Sequence, residues 1–359
     1  MRIAVLGGGH GCYAAAADLS EQGHEVCLWR RDAAALEAVT RSGCISLTDY
    51  RGCREVPIFR PTPDIGAAVR GSDLIVIATP AFSQTEIAAA IAPHLCDGQV
   101  VFLPPGTFGS YVMAREVRRA GNSAAVAFAE TGTLPYLARK HGDSDITITT
   151  RATRLPTGVF PASAATAALA VIARAYPAIE PVEDALSAAL MNAGPIIHPP
   201  LILMNAGPLE HFESWDIHNE GTQASIRHVT DALDAERMAL REALGYAAPH
   251  FPLADHYNSD RWMYGNAHDK LVDSGDWREH IDLKTHRYMQ EDVAYGLAFL
   301  VSVADWANLD CPVARGLLAI AGAVCGQNFA TGPRTLGALG LGRLDRSAMK
   351  RLLECGGDL

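Results

Sequence analysis

The start of the chain restricts the fold most. Ile3-Ala4-Val5-Leu6 reads as a buried strand, Gly7-Gly8-Gly9-His10-Gly11 as a glycine loop, and the Ala-rich stretch from Cys12 to Glu21 as a helix. A second strand, Glu25 to Trp29, ends about twenty residues further on, as in the first βαβ unit of a dinucleotide-binding sheet. Gly7 suits the tight turn, and Gly9 lets the backbone approach a pyrophosphate at the helix N-terminus. His10 and Gly11 complete the loop expected to touch the cofactor. Cys12 takes the place of the third glycine and is small enough for close helix–strand packing. A glycine turn with no ligand is the plain alternative.

The residue after the second strand chooses the cofactor. An Asp or Glu there binds the ribose 2′-hydroxyl of NAD, whereas an Arg accepts a 2′-phosphate. This chain reads Leu28-Trp29-Arg30-Arg31-Asp32. Arg30 and Arg31 therefore point to NADP(H) over NAD(H), through charge-assisted contacts to the phosphate; a solvated surface pair is the alternative. Asp32 reads as a helix cap. Thr79 and Pro80, with Ala81-Phe82 and Pro104 to Gly109, follow strand ends on the edge where such sheets bind ligands. Glu130 and Thr131 end a later strand on the same edge, where they could face substrate or cap a turn.

Length and texture set the organisation. At roughly 100–200 residues per domain, 359 residues suggest about two domains. The first half alternates apolar runs (Asp73 to Ala78, Gln99 to Leu103, Ala124 to Glu130) with helical stretches (Gln84 to Ala92, Ser110 to Ala120). Asp145 to Thr150 reads as a strand near a sheet edge. From about Glu183 strand-like runs give way to long helical patterns; in the clearest, Val293, Leu297, Leu300, Val301 and Ala304 share one face. The expected fold is α/β: a Rossmann-like doubly wound parallel sheet over residues 1–180, then an all-α domain over 181–359.

Thirty Lys+Arg against forty Asp+Glu, with no basic run, argue against nucleic-acid or anionic-membrane partners. No stretch reads as the roughly 18 apolar residues of a membrane span. Eight cysteines without a Cys-x-x-Cys pair fit reduced thiols in cytoplasm better than disulfides or a zinc site. No metal-ligand spacing is seen.

Two features of the second half carry chemistry. His198 stands in Gly194-Pro195-Ile196-Ile197-His198-Pro199-Pro200, where the prolines predict a break between helices that would free the imidazole to point into a site. Arg287 and Asp292 stand just before the amphipathic pattern. In an α-helix, positions i and i+5 lie about 140° apart. Both could face one site only if the helix begins near Gln290, with Arg287 before it and Asp292 in its first turn. A satisfied structural histidine, a dipole-stabilising Asp292 and a surface Arg287 remain the plain readings.

The glycine loop, Pro105-Gly106, the Asn192…His198-Pro199 segment, Arg287-x-x-x-x-Asp292-Val293-x-x-Gly296-Leu297 and Pro333-Arg334-Thr335-Leu336 together resemble the opine dehydrogenases, the octopine/nopaline dehydrogenase family. The resemblance implies small-molecule substrates: an amino acid condensed reductively with a 2-oxo acid such as pyruvate, using NAD(P)H. It implies His198 as general acid/base, Asp292 as its orienting carboxylate and Arg287 as the grip on a substrate carboxylate. A family-like homodimer is open. Trp215, His218, Tyr257, Trp262 and Tyr264 could line the amino-acid pocket, or be core or dimer contacts. A simple 2-oxo acid or cyclic-imine reductase and a non-catalytic NADP(H) sensor are the rivals. Glycerol-3-phosphate dehydrogenases resemble the N-terminal half, but no lysine after the boundary (Lys270, Lys284, Lys350) sits in a persuasive motif.

Overall fold

The computed structural model describes residues 1–255, 275, 278 and 280–357. The chain divides into two compact units, Met1–Ala189 joined by the residues from Lys350 onward, and Leu190–Met349. Sequence texture had put the division near Pro181 and all of the C-terminal residues in the second domain.

The first unit is built on an eight-stranded sheet. Its strands are β1 (Arg2–Leu6), β2 (Glu25–Trp29), β5 (Arg60–Thr62), β6 (Leu74–Val76), β7 (Val100–Leu103), β8 (Ala127–Thr131), β11 (Leu155–Phe160) and β12 (Ile179–Pro181). The order is β12-β11-β8-β7-β6-β1-β2-β5. From β8 to β5 every pairing is parallel, whereas β11 runs antiparallel to β8, so the sheet is mixed rather than wholly parallel. The central strands are apolar on both faces, as burial on both sides requires. Pro61, which cannot donate to a ladder, sits on the edge strand β5.

A second sheet lies beyond the alternating pattern read from the sequence. It comprises β3 (Cys44–Asp49), β4 (Gly52–Pro57), β9 (Tyr136–Lys140) and β10 (Asp145–Arg151), in the order β4-β3-β10-β9. The expected strand at Asp145 to Thr150 is thus interior to this small sheet and not at an edge of the large one. Helix His10–Glu21 packs on both sheets, and Cys12 to Leu19 are all buried. Its run of alanines now has a physical reason, because a helix enclosed on all sides needs small side chains where backbones approach. The one acid in that run, Asp18, accepts from Tyr136 Oη at 3.0 Å, Arg151 Nε at 2.7 Å and Gln22 Nε2 at 2.9 Å. Its buried charge is thereby partnered.

Among the described residues the second unit is all helical. Helix Gly194–Met204 packs against a π-helix, Tyr288–Leu297, and against helices Ala224–Ala243 and Pro312–Cys325. Val293, Leu297, Leu300, Val301 and Ala304 are all buried, as their spacing implied. The segment Ala185–Met204 departs from expectation: its 20 residues include an 18-residue stretch of mean hydropathy 1.3, long and apolar enough to cross a membrane by length and composition alone. Within the protein 78% of that stretch is buried, so its apolar surface is used as core.

Gly158 in β11 tests the close packing of the first unit. A Cβ there would collide with the backbone carbonyl of Asp184, which cannot swing aside. Gly158→Ala is expected to cost about 1–3 kcal/mol, the usual penalty of overpacking. Denaturant unfolding reads this directly, and an unshifted midpoint would show that the strand yields freely.

Candidate active site

The first unit carries a groove of about 360 Å³ at the carboxyl ends of β1 and β2, lined by Gly7, Gly8, Gly9, Arg30, Arg31, Thr79 and Pro80 among others. Gly7 adopts φ +134°, where its Cβ would meet Thr79 Cγ2 at 2.6 Å and Cys12 Sγ at 2.7 Å. Only glycine tolerates both the conformation and the contact. Gly9 differs: a Cβ there would meet nothing within 4 Å, so the protein's own packing leaves that space open at the helix N-terminus. Gly11 makes the close helix–strand approach, facing Ala78 Cβ at 3.2 Å from its would-be Cβ. The Cys12 thiol is fully buried beside the carbonyls of Leu6 and Ala78, and burial pushes its pKa up to about 12. It is a packing group and not a nucleophile. His10 Nδ1 accepts from the Lys140 backbone N–H at 2.8 Å, tying the glycine loop to β9.

The two arginines behave differently. Arg30 lies against Gly8, and its Nη1 donates to Tyr13 Oη at 3.2 Å and to the Ala35 carbonyl at 2.7 Å. Arg31 pairs with Glu86 at 2.9 Å, both side chains being 65% exposed. Such a pair is screened and weak. Asp32 caps the next turn, accepting from Ala34 N at 2.9 Å and Ala35 N at 3.4 Å.

Glu130 and Thr131, read as facing substrate or capping a turn, both bond to the protein's own groups. Both are fully buried. The Glu130 carboxylate accepts from the backbone N–H of Phe108 at 2.7 Å and Ser110 at 3.3 Å, and from the Ser110 hydroxyl. It thus answers the orphan donors at the start of helix Gly109–Arg119, where a carboxylate is favoured. Thr131 Oγ1 donates to the Thr133 carbonyl at 2.5 Å. Gln84 Nε2 donates to the Gly106 carbonyl at 2.9 Å and so braces the Pro104–Gly109 loop.

In the second unit, residues 94 apart in sequence meet. His198 Nδ1 and Asp292 Oδ2 are 2.8 Å apart, with side chains only 14% and 11% exposed. With Nδ1–H donating to the carboxylate, the hydrogen bond fixes the orientation of the imidazole. His198 is not at a helix break: helix Gly194–Met204 continues through Pro199 and Pro200. Each proline removes one N–H inside the helix, and burial of Pro199, Pro200, Leu201 and Ile202 compensates.

Arg287 and Asp292 come together differently from the way the sequence suggested. Arg287 caps the π-helix, whose i→i+5 bonding places positions five apart on one side, where an α-helix would separate them. Burial pushes the Asp292 carboxyl up to about 7, while the positive charges of Arg287 and then His286 pull it down. Two glycines permit the arrangement. A Cβ at Gly194 would collide with Asp292 Oδ1, and one at Gly296 with Pro195, so the π-helix rests directly on the first turn of the helix bearing His198.

Sequence reasoning missed Tyr288. Its buried ring stacks on the His198 imidazole at 3.7 Å between centroids and 14° between planes. His218 stands edge-on to both rings, with Nε2 3.5 Å from Tyr288 Oη, and His286 lies 4.5 Å from the Tyr288 ring. The Arg287 guanidinium is 5.6 Å from the same ring. The only signal was its place inside the Arg287-x4-Asp292 segment. Trp215 is occupied elsewhere, donating to Asn205 Oδ1 at 2.9 Å and stacking on Phe212. Tyr257, Trp262 and Tyr264 lie outside the described residues.

A glycine-cradled groove at the end of β1 and a helical unit carrying a His–Asp pair define a two-unit NAD(P)-dependent dehydrogenase. Comparison with known proteins narrows this. Residues 181–325 match the NAD/NADP octopine/nopaline dehydrogenase α-helical domain, and residues 3–150 the ketopantoate reductase PanE/ApbA family. An opine dehydrogenase from Arthrobacter sp. (strain 1C) is 28% identical, over 98% of both chains. Octopine dehydrogenase in complex with NADH and agmatine superposes with a TM-score of 0.69 at 18% identity, over 96% of this chain and 99% of that one. Yersinopine dehydrogenase with NADP+ bound gives 0.65 at 16%, over 99% and 98%. Over nearly its whole length the chain is similar to opine dehydrogenases, and its second unit carries their α-helical domain, which supports an NAD(P)-dependent oxidoreductase acting on CH–NH bonds.

Gly194 separates site geometry from stability. Gly→Ala near the start of a helix ordinarily stabilises by up to about 1 kcal/mol. Here the methyl group would displace the Asp292 carboxylate. Gly194→Ala should retain or raise Tm while turnover falls about tenfold or more, the order of effect expected when a catalytic pair is misplaced. Parallel loss of both would mean that Gly194 serves packing alone.

Proposed function

We propose that the enzyme condenses an L-amino acid with a 2-oxo acid of the pyruvate type and reduces the resulting imine to an N-(carboxyalkyl)amino acid. The observation that carries this reading is the 2.8 Å contact between His198 Nδ1 and Asp292, made beside Arg287. Condensation needs an acid that protonates oxygen twice, and an imidazole oriented by a carboxylate is suited to that. The amine nitrogen attacks the oxo carbon, and Nε2–H of His198 delivers a proton to the forming alkoxide, giving the carbinolamine. A proton released from the former amine returns to His198. It next goes to the hydroxyl, which departs as water and leaves the imine. Asp292 holds the imidazole in register and balances its positive charge. The planar guanidinium of Arg287 grips a substrate carboxylate in two-pronged fashion.

When bound, a reduced nicotinamide dinucleotide would supply the hydride for the imine carbon. Gly7, Gly9, His10 and Gly11, with Thr79 and Pro80, would hold it, and the open space at Gly9 suits a pyrophosphate. NADP(H) is the preferred form on this reading, because a guanidinium and not a carboxylate follows β2. Eight cysteines, all free thiols, support a cytoplasmic setting.

The test is oxidation of NADPH and of NADH with pyruvate and a panel of amino acids, omitting each component in turn. The reading expects oxidation that requires both oxo acid and amine, favours NADPH, and falls about 10²–10⁴-fold in His198→Ala. Oxidation with the oxo acid alone would instead establish a simple reductase, in keeping with the ketopantoate-reductase match of residues 3–150.

A further inference from the structure

The NADP(H) reading rests on Arg30 and Arg31, and the fold brings a further cation to Arg30. β9 ends at Lys140, whose half-buried ammonium lies 4.6 Å from the centroid of the Tyr13 ring. The Arg30 guanidinium carbon is 5.8 Å from the same centroid. Two positive groups, one following β2 of the large sheet and one from the small sheet, thus converge on a single phenol in the first turn behind the glycine loop. The approach is fixed at its base, since the Lys140 backbone N–H is bonded to His10.

Asp143 and Asp145 act on Lys140 from nearby, but neither forms an ion pair with it. Among the described residues neither Arg30 nor Lys140 makes an ion pair, although Lys140 Nζ donates to the Gly142 carbonyl. Burial, and then the charge of Arg30, push the Lys140 ammonium's pKa down, with Asp143 and Asp145 opposing. Like charges held together in a half-buried setting cost free energy, and a dianion between them reverses the sign. Arg31, by contrast, is engaged by Glu86.

We propose that Lys140 and Arg30 together form the subsite for the adenosine 2′-phosphate of NADP(H), with Lys140 rather than Arg31 as its second cation. Arg30 brings a planar donor fork and Lys140 a point charge. The Tyr13 hydroxyl, which already accepts from Arg30, has its own proton to donate to a phosphate oxygen. NADH offers only a hydroxyl at that place and gains little from the second cation. This inference rests on the NADP(H) reading above.

The experiment compares wild type, Lys140→Gln and Lys140→Arg in kcat/KM for NADPH and NADH, alongside calorimetric titration with 2′,5′-ADP and 5′-AMP. Lys140→Gln should lower the NADPH-to-NADH ratio about 10–100-fold, the worth of one charge-assisted contact. It should weaken 2′,5′-ADP relative to 5′-AMP by a similar factor, and Lys140→Arg should restore most of both. Equal losses with both cofactors would place Lys140 at the shared pyrophosphate or in the fold, and would overturn the assignment, as would an unchanged ratio. If wild type prefers NADPH and Lys140→Gln does not alter the ratio, only the role of Lys140 fails. If wild type prefers NADH, the cofactor reading falls and the subsite with it.

Discussion

The contact between Asp292 and His198 is the constraint around which the second unit is built. Bringing a carboxylate and an imidazole out of water is costly unless each answers the other. Here the 2.8 Å contact, the positive charges of Arg287 and His286, and the face of Tyr288 together supply that answer. The helical irregularities follow from it. A π-helix is rare and marks functional sites often, and this one puts Arg287 and Asp292 on the same side. Gly194 and Gly296 are small because the carboxylate and Pro195 occupy the space their side chains would take.

The first unit answers a different constraint, room for a large anion against bare backbone. Gly7 gives the turn, Gly11 the close helix contact and Gly9 the open space, while Cys12 fills the last gap with an inert thiol. The small sheet covers the far side of the first helix and delivers Lys140 to the loop's edge. Glu130 belongs to this scaffold: its buried carboxylate holds the start of helix Gly109–Arg119 and shapes the neighbouring loop from inside.

Legibility in the sequence followed the range of the interactions. The glycine loop, β1, β2 and the apolar face through Val293 and Ala304 depend on neighbours a few residues away, and local pattern revealed them. The antiparallel pairing of β11 with β8 and the assembly of β3, β4, β9 and β10 depend on distant strands, and local pattern was silent about both. The prolines after His198 misled because packing overrode their helix-breaking tendency. Arg287 and Asp292 could be named but not placed, since their meeting needs i→i+5 geometry that side-chain spacing does not announce. Glu130 could be read either as facing substrate or as capping a turn, because its position on β8 was readable and its burial was not.

If the dyad is the acid of the reaction, its proton must be held by the pair and not by either residue alone. Burial raises the Asp292 carboxyl to about 7, so the pair holds its proton up to about that pH. Asp292→Asn removes the counter-charge and leaves an imidazolium that loses its proton at lower pH. The direct measurement is kcat/KM for the oxo acid at saturating amino acid, in wild type and Asp292→Asn, from pH 5.5 to 9. Amine titration is common to both enzymes and cancels in their ratio. The wild-type advantage should grow as pH rises toward about 7, then level at about 10²–10⁴-fold. A ratio near one, or one independent of pH, would contradict the dyad as the proton source.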